Sequence, residues 1–263
     1  MTKEERYKEL VCRVKECGVL NAKGECRKKP NEIKMCCNSS GKEPKLIPYE
    51  PCDEINLWSY WQGGGNHLNA KILLVGQDWG SMDTEKFEEA RIVENIVQQR
   101  KTKPYKYISY VEGNTNPTDR NLIKLFKTIG YDITEECADL FFTNLALCYR
   151  EDSKISGGFK PIWASNCGEF FKELVDIIQP KVILCLGRGT YEGVMKALGG
   201  KAESGSYNKI IDKHTPSEAG GYKVFPLAHC GSMGTANRNK GKDKYEDKLH
   251  YQKEDWKAIQ KYL

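Results

Sequence analysis

From residue 70 onward, short apolar runs of strand length alternate with longer amphipathic stretches, and this alternation constrains the fold more than any other feature. Residues 71–78, 139–147, 182–186 and 223–229 are the four short runs. Their apolar residues are nearly continuous rather than alternating with polar ones, which is the pattern of strands buried on both faces of a parallel sheet. The intervening stretches repeat apolar residues at helical spacing. Asp83 or Thr84 caps one helix carrying Phe87, Ala90, Val93 and Val97, and Thr118 or Asp119 opens another carrying Leu122, Leu125, Phe126 and Ile129 that stops at Gly130. Asn166 and Glu169 form a capping box for a helix through Ile178, and Gly187, Arg188, Gly189 and Thr190 lead into one ending at Gly199 and Gly200. Strand and helix in alternation imply an α/β fold with helices on both faces of the sheet.

The first 69 residues follow a different rule. Thr2 and Glu5 make a capping box for a first helix of about four turns, with Tyr7, Leu10, Val11 and Val14 on one side. From Gly18 to Pro51 the periodicity fails while Gly, Pro, Lys, Asn and Cys accumulate, so something other than an apolar core must order that stretch. The chain therefore divides into a Cys-rich N-terminal extension, residues 1–69, and a second domain, residues 70–263. No apolar run is long enough to cross a bilayer, and the N-terminus mixes acidic with basic residues where a signal core would be apolar. The expectation is a cytoplasmic protein with no membrane partner. Eleven cysteines in such a chain point to metal or an iron-sulfur cluster before disulfides, and an odd number cannot all pair internally.

Net charge is +5, and it is carried at the two ends. Residues 1–45 hold 12 Lys or Arg against 7 acids and residues 235–263 hold 8 against 5, around a slightly acidic middle. Basic ends are either ordinary solvated surface or contacts to phosphate.

Open parallel sheets bind ligands beyond the carboxyl ends of their strands. Asp78 follows the first strand, Asn144 lies near the end of the second, the Gly187, Arg188, Gly189 turn follows the third and His229 ends the fourth. A lone acid or histidine at a strand end is more often structural than catalytic. An acid, an amide, a glycine turn and an imidazole at corresponding ends of successive strands make a candidate site.

At these residues the chain resembles the uracil-DNA glycosylase superfamily. Gly76, Gln77, Asp78, Trp79 and Gly80 are similar to its first motif, Phe142, Thr143 and Asn144 to its asparagine-bearing strand, and His229, Cys230, Gly231 and Ser232 to its His-x-x-Ser loop. The resemblance covers about residues 70–235. It implies a three-layer α/β/α fold with a four-stranded parallel sheet in the order 2-1-3-4. It also implies that a nucleotide is flipped from the DNA stack into the site; no nucleotide cofactor is expected, and the expected partner is DNA bound by a monomer. In that reading Asp78 positions water and supports the developing oxocarbenium-like sugar, while His229 stabilises the departing base at O2. Asn144 offers a donor and an acceptor that match O4 and N3–H of uracil or thymine and mismatch cytosine. The backbone of Gly76 and Gln77 adjoins the base.

Where the best-known branch has a proline and a tyrosine that blocks a 5-methyl group, this chain has Trp79 and Gly80. A pocket without that ring admits thymine or a bulkier 5-substituent. Trp79, Tyr105 and Tyr110 are the aromatic residues available to stack on the base, or they are core. After His229, Met233 is placed as a wedge into DNA, beside Ser232, Arg238, Lys240, Lys242 and Lys244 as phosphate contacts; the alternative is a solvated turn. Arg188 and Thr190, at a helix N-terminus, are further phosphate candidates.

Two cysteines of the superfamily's iron-sulfur branch stand where this chain has Cys148 and Cys167. Cys52 suits an upstream ligand and Cys36 or Cys37 the fourth, which together would hold a 4Fe-4S cluster. A zinc site on the same residues, or on Cys12, Cys17, Cys26 and Cys36, competes with it, as do unligated thiols. Cys185, inside a strand, reads as core. The function expected is a monofunctional DNA glycosylase that excises uracil or a 5-substituted pyrimidine, in repair or in restriction of foreign DNA. The alternatives are a DNA-binding protein that captures a flipped or modified base without turnover, and an interaction scaffold.

Overall fold

The computed structural model describes residues 1–18, 68–77, 117–133, 137–146 and 161–263. Within them five strands form one sheet: β1 (Ile72–Gly76), β2 (Leu140–Asn144), β3 (Val182–Leu186), β4 (Ser217–Ala219) and β5 (Tyr222–Leu227). Their order is β2-β1-β3-β5-β4. The first four in that order are parallel, and β4 pairs antiparallel with β5. The four expected strands thus appear in the expected order, and β4 is an addition. Its hairpin is turned by Gly220 and Gly221, both at positive φ, 58° and 83°, as a two-residue loop between antiparallel strands requires.

Among the described residues seven α-helices accompany the sheet: α1 (Lys3–Gly18), α2 (Pro117–Thr128), α3 (Pro161–Ile178), α4 (Arg188–Ala197), α5 (Tyr207–Ile211), α6 (Ser232–Asn239) and α7 (His250–Lys257). Helix α1 begins with the expected capping box. The Glu5 N–H donates to Thr2 Oγ1 at 3.1 Å, and the Thr2 N–H donates to Glu5 Oε2 at 2.7 Å. Helix α3 starts at Pro161, five residues before the capping box read from the sequence, because proline at a first helical position costs no hydrogen bond. The segment 232–239, read as a loop, is helix α6.

The helices sort into two packed sets. Helix α1 packs on α3 and α3 on α4, whereas α2 and α6 each pack on α7. The first set covers one face of the sheet, where Tyr7 meets Phe141 edge-on at 6.1 Å and Leu145 fills the space beside Gly193. The second lies on the other face, where Phe126 meets Trp256 at 4.9 Å and Phe225 meets Tyr262, just past α7, at 5.2 Å. Strands β1, β2 and β3 are buried at every position, which explains their unbroken apolar sequences. Burying them and the inner helix faces is the main driving force of the fold, at roughly 25 cal/mol per Å² of apolar surface.

The register sets out the site. Gly76 lies beside Asn144, and Leu186 beside Leu227. Val75 pairs with Cys185, one residue earlier in each strand, so the four parallel strands end in one row. The chain runs from β1 to β2 on one side and then to β3 on the other, and a crevice for ligands opens at such a reversal of strand order.

Candidate active site at the carboxyl edge of the sheet

Asn144 closes β2 and is 1% exposed. Its side chain shares a sheet face with Gly76, and a Cβ added to Gly76 would lie 2.1 Å from Asn144 Oδ1. Glycine at 76 is therefore what lets the amide occupy the end of β1. The backbone beyond is pinned, because the Leu145 N–H donates to Gly76 O and the Ala146 N–H to Gln77 O, both at 3.0 Å. Asn144 Nδ2 is buried and has no hydrogen-bond partner among the described residues. An orphaned donor on a rigid strand end costs about 1–3 kcal/mol, and groups of this kind recur where a ligand completes the pairing.

His229 comes two residues after Leu227, the last residue of β5. The Gly231 N–H donates to His229 Nδ1 at 3.0 Å. With Nδ1 accepting, the neutral ring carries its proton on Nε2 and presents it as a donor. The residue is exposed, yet the protein packed around the ring desolvates it enough to lower its pKa below the ordinary 6.5. The imidazole is thus neutral at pH 7. Gly187 has φ of 97° and donates its N–H to Leu227 O at 2.8 Å, which continues the β3–β5 pairing to the edge of the site.

The peptide of His229 is enclosed on two sides. A Cβ at Gly234, in the first turn of α6, would meet His229 O at 2.1 Å, and one at Gly231 would meet both His229 Nδ1 and Thr118 Oγ1 at 3.0 Å. These glycines let α6 and the start of α2 close on the histidine loop. Gly231 falls within the His-x-x-Ser motif, but Gly234, Asn121 and Gln252, which also hold this loop, did not stand out in the sequence, because no periodicity or motif marks a contact between segments so far apart.

The structure therefore brings Gly76, Gln77, Asn144 and His229 to one edge of the sheet. Asp78, Trp79, Gly80, Tyr105 and Tyr110 lie outside the described residues. Of the phosphate candidates, Ser232 and Lys240 are exposed at the two ends of α6, and Met233 is 71% exposed in its first turn. Arg188 begins α4, with Nε donating to Glu192 Oε1 at 2.7 Å and Nη1 to Gly205 O at 3.2 Å. Lys242 is committed to Asp212, 2.6 Å away, and lies over the Tyr251 ring.

Two of the expectations need correction. Arg238 is 1% exposed and sits in the core, where Nε and Nη2 grip Asp255 at 2.7 and 2.6 Å and Nη2 reaches Asp212 at 2.7 Å. It ties α6 to α7, with its side chain buried rather than at the surface. Thr190 is buried, with its hydroxyl donating to Leu186 O at 3.0 Å. In both cases a residue near the site by sequence lies on the inward side of its helix.

Among the proposed metal ligands, Cys167 is described, buried in α3. Cys36, Cys37, Cys52 and Cys148, like Cys26 of the alternative zinc set, lie outside the described residues, whereas Cys12 and Cys17 fall within α1. Among the described residues there is no group of three or more metal-ligating side chains, and no helix long and apolar enough to cross a membrane. Cys185 is fully buried in β3, and burial pushes its thiol pKa well above the ordinary value.

The orphaned amide of Asn144 and the imidazole of His229 thus stand beyond the carboxyl ends of an open α/β sheet, where proteins of this class bind their ligands. The chain belongs to the uracil DNA glycosylase superfamily, whose family model matches residues 62–256. Members of that superfamily are DNA glycosylases. No curated protein matches the chain.

Proposed function

We propose that the protein is a monofunctional DNA glycosylase that flips uracil or a 5-substituted pyrimidine out of DNA and hydrolyses its N-glycosidic bond, leaving an abasic site. The observation that carries this reading is the buried, unpartnered Nδ2 of Asn144, held over Gly76 at the edge of the sheet beyond which His229 follows β5. Asn144 Nδ2 would donate to O4 of the base and Oδ1 would accept from N3–H. Cytosine reverses both and would leave two buried polar atoms mismatched, which discriminates strongly.

As the C1′–N1 bond breaks, negative charge grows on the base and positive charge on the sugar. The Nε2–H of His229 donates to O2 of the departing anion, and a neutral donor suits that role without first giving up its proton. Asp78 orients the water that attacks C1′ and supports the sugar's charge. Trp79 and Gly80, in place of a blocking tyrosine, leave the 5-position open. Ser232, Met233, Lys240 and Arg188 contact the DNA, with Met233 as the wedge. A role in restriction of foreign DNA fits a pocket that admits large 5-substituents, and a role in repair fits uracil.

For the cysteines, our reading is a 4Fe-4S cluster held by Cys148, Cys167 and Cys52, with Cys36 or Cys37 as the fourth ligand. Such a cluster would order the apolar-poor N-terminal extension, since metal binding is folding free energy for a segment without a core. Broad visible absorption that bleaches with dithionite supports it, and colourless protein holding stoichiometric zinc after anaerobic purification refutes it.

The glycosylase reading is tested by incubating the protein with oligonucleotides bearing uracil, mismatched thymine or 5-modified pyrimidines, in single and double strands, followed by alkali. Strand scission at the modified base is expected. Tight binding without scission would instead identify a protein that captures the base without turnover.

A further inference from the structure

Three consecutive carbonyls of the histidine loop are held by side-chain amides that reach in from two separate helices. Gln252 of α7 is 1% exposed, and its Nε2 donates to Ala228 O at 3.4 Å and to His229 O at 3.3 Å. Its Oε1 accepts from the Thr235 hydroxyl of α6 at 2.7 Å. Asn121 of α2 donates through Nδ2 to Cys230 O at 2.7 Å. The two helices are locked together by the edge-on contact of Phe126 with Trp256, so both amides stand on one rigid support.

The enclosure has a directional consequence. A carbonyl at 229 that rotated would break the Gln252 bond and press on the first turn of α6, where Gly234 leaves no spare room. A peptide at 230 that rotated would lose Asn121. The Gly231 N–H that donates to His229 Nδ1 hangs from that same stretch of backbone. Whatever fixes these peptides therefore fixes which nitrogen of His229 carries the proton and where the ring points.

We infer that Gln252, with Thr235 orienting its amide and Asn121 opposite, is a positioning residue that sets the tautomer and aim of His229. It touches neither the base nor the sugar. The inference rests on His229 acting as the donor to the departing base, and it deepens that reading by assigning the machinery that holds the donor.

The test uses Gln252→Glu in the full chain, which keeps the acceptor for Thr235 and removes the amide donors. Lys253→Gln, on the same helix and otherwise paired with Asp247 at the surface, is the control. Long-range proton–nitrogen spectra of the labelled protein read the His229 tautomer without any substrate. In the unaltered protein His229 is expected as the Nε2–H form, and in Gln252→Glu as a mixture. The single-turnover excision rate should fall roughly 10- to 100-fold, the scale of a small misplacement of a catalytic group, with DNA affinity unchanged. Because a protonated carboxyl regains one donor, the deficit should narrow as the pH falls, which a purely structural loss would not do.

An unshifted His229 tautomer in Gln252→Glu, or the same rate loss in Lys253→Gln, overturns the inference. Should Gln252→Glu fail to fold, Thr235→Val, which frees the Gln252 amide to rotate, is read in the same way. If the unaltered protein excises no base, the glycosylase reading fails while the tautomer spectra still decide the role of Gln252.

Discussion

Arg238→Met separates the structural account of this arginine from the phosphate contact that its position in the sequence suggests. Its guanidinium and Asp255 are 1% and 3% exposed and share two short hydrogen bonds. Removing the cation leaves a carboxylate in the interior with a hydrogen bond to His214 Nε2, 3.0 Å away, as its remaining side-chain contact among the described residues. Asp212 loses less, because it is partly exposed and keeps Lys242. Breaking one side of a buried pair costs about 3–5 kcal/mol, which for a chain of this size lowers Tm by on the order of 10 °C. Urea denaturation should report the loss as a lower midpoint with an unchanged slope. The double variant Arg238→Met with Asp255→Leu removes both charges and should recover most of the stability, because apolar replacement of a buried pair is often neutral. DNA affinity measured against salt should keep its slope in that double variant. A single Arg238→Met protein of normal stability whose slope drops by about 1, the signature of one lost phosphate contact, would refute the placement.

Other outcomes follow from the same geometry. Gly76→Ala puts a Cβ into the space of Asn144 Oδ1, so excision should fall by about 100-fold while DNA binding is retained; normal excision would mean that Asn144 does not read the base. Since the folded protein holds His229 below its ordinary pKa of 6.5, the unfolded chain binds that proton more readily, and the neutral form is favoured in the fold as pH rises. The acid limb of kcat/KM due to His229 should accordingly lie below pH 6.5, and a limb above 6.5 contradicts a desolvated ring. Phe126→Ala removes a fully buried ring stacked edge-on against Trp256, and chemical denaturation should register a loss of about 3–5 kcal/mol.

What the sequence made legible follows from how local each signal is. Strands β1, β2 and β3 could be read because a strand buried on both faces has to be apolar throughout, β5 because its last four residues are buried in the same way, and their order came from the motifs they carry. The α1 capping box was legible because its two hydrogen bonds join residues three apart. Helix α6 was not, since Ser232, Gly234, Thr235, Asn237 and Asn239 are weak helix formers. Tertiary contacts make that helix: Gly234 packs on the His229 carbonyl, Thr235 bonds Gln252, and Arg238 is drawn inward by Asp255. The inward turn of Arg238 shows why a cluster of basic residues does not say which of them faces solvent. Strand β4 is three residues long and polar at two of them, too short for any periodicity. The Asn144 and His229 positions were visible as strand-end residues, whereas their support from Gly76, Gly234, Asn121 and Gln252 depends on contacts across the fold.

The most direct measurement is the alkali-cleavage assay on uracil-bearing and 5-modified oligonucleotides, run with the unaltered protein beside His229→Ala, Asn144→Ala and Asp78→Asn. Scission at the modified base by the unaltered protein is expected, with each variant slower by orders of magnitude and still able to bind DNA. No scission on any substrate, or undiminished rates in the variants, would contradict a glycosylase site at this edge of the sheet.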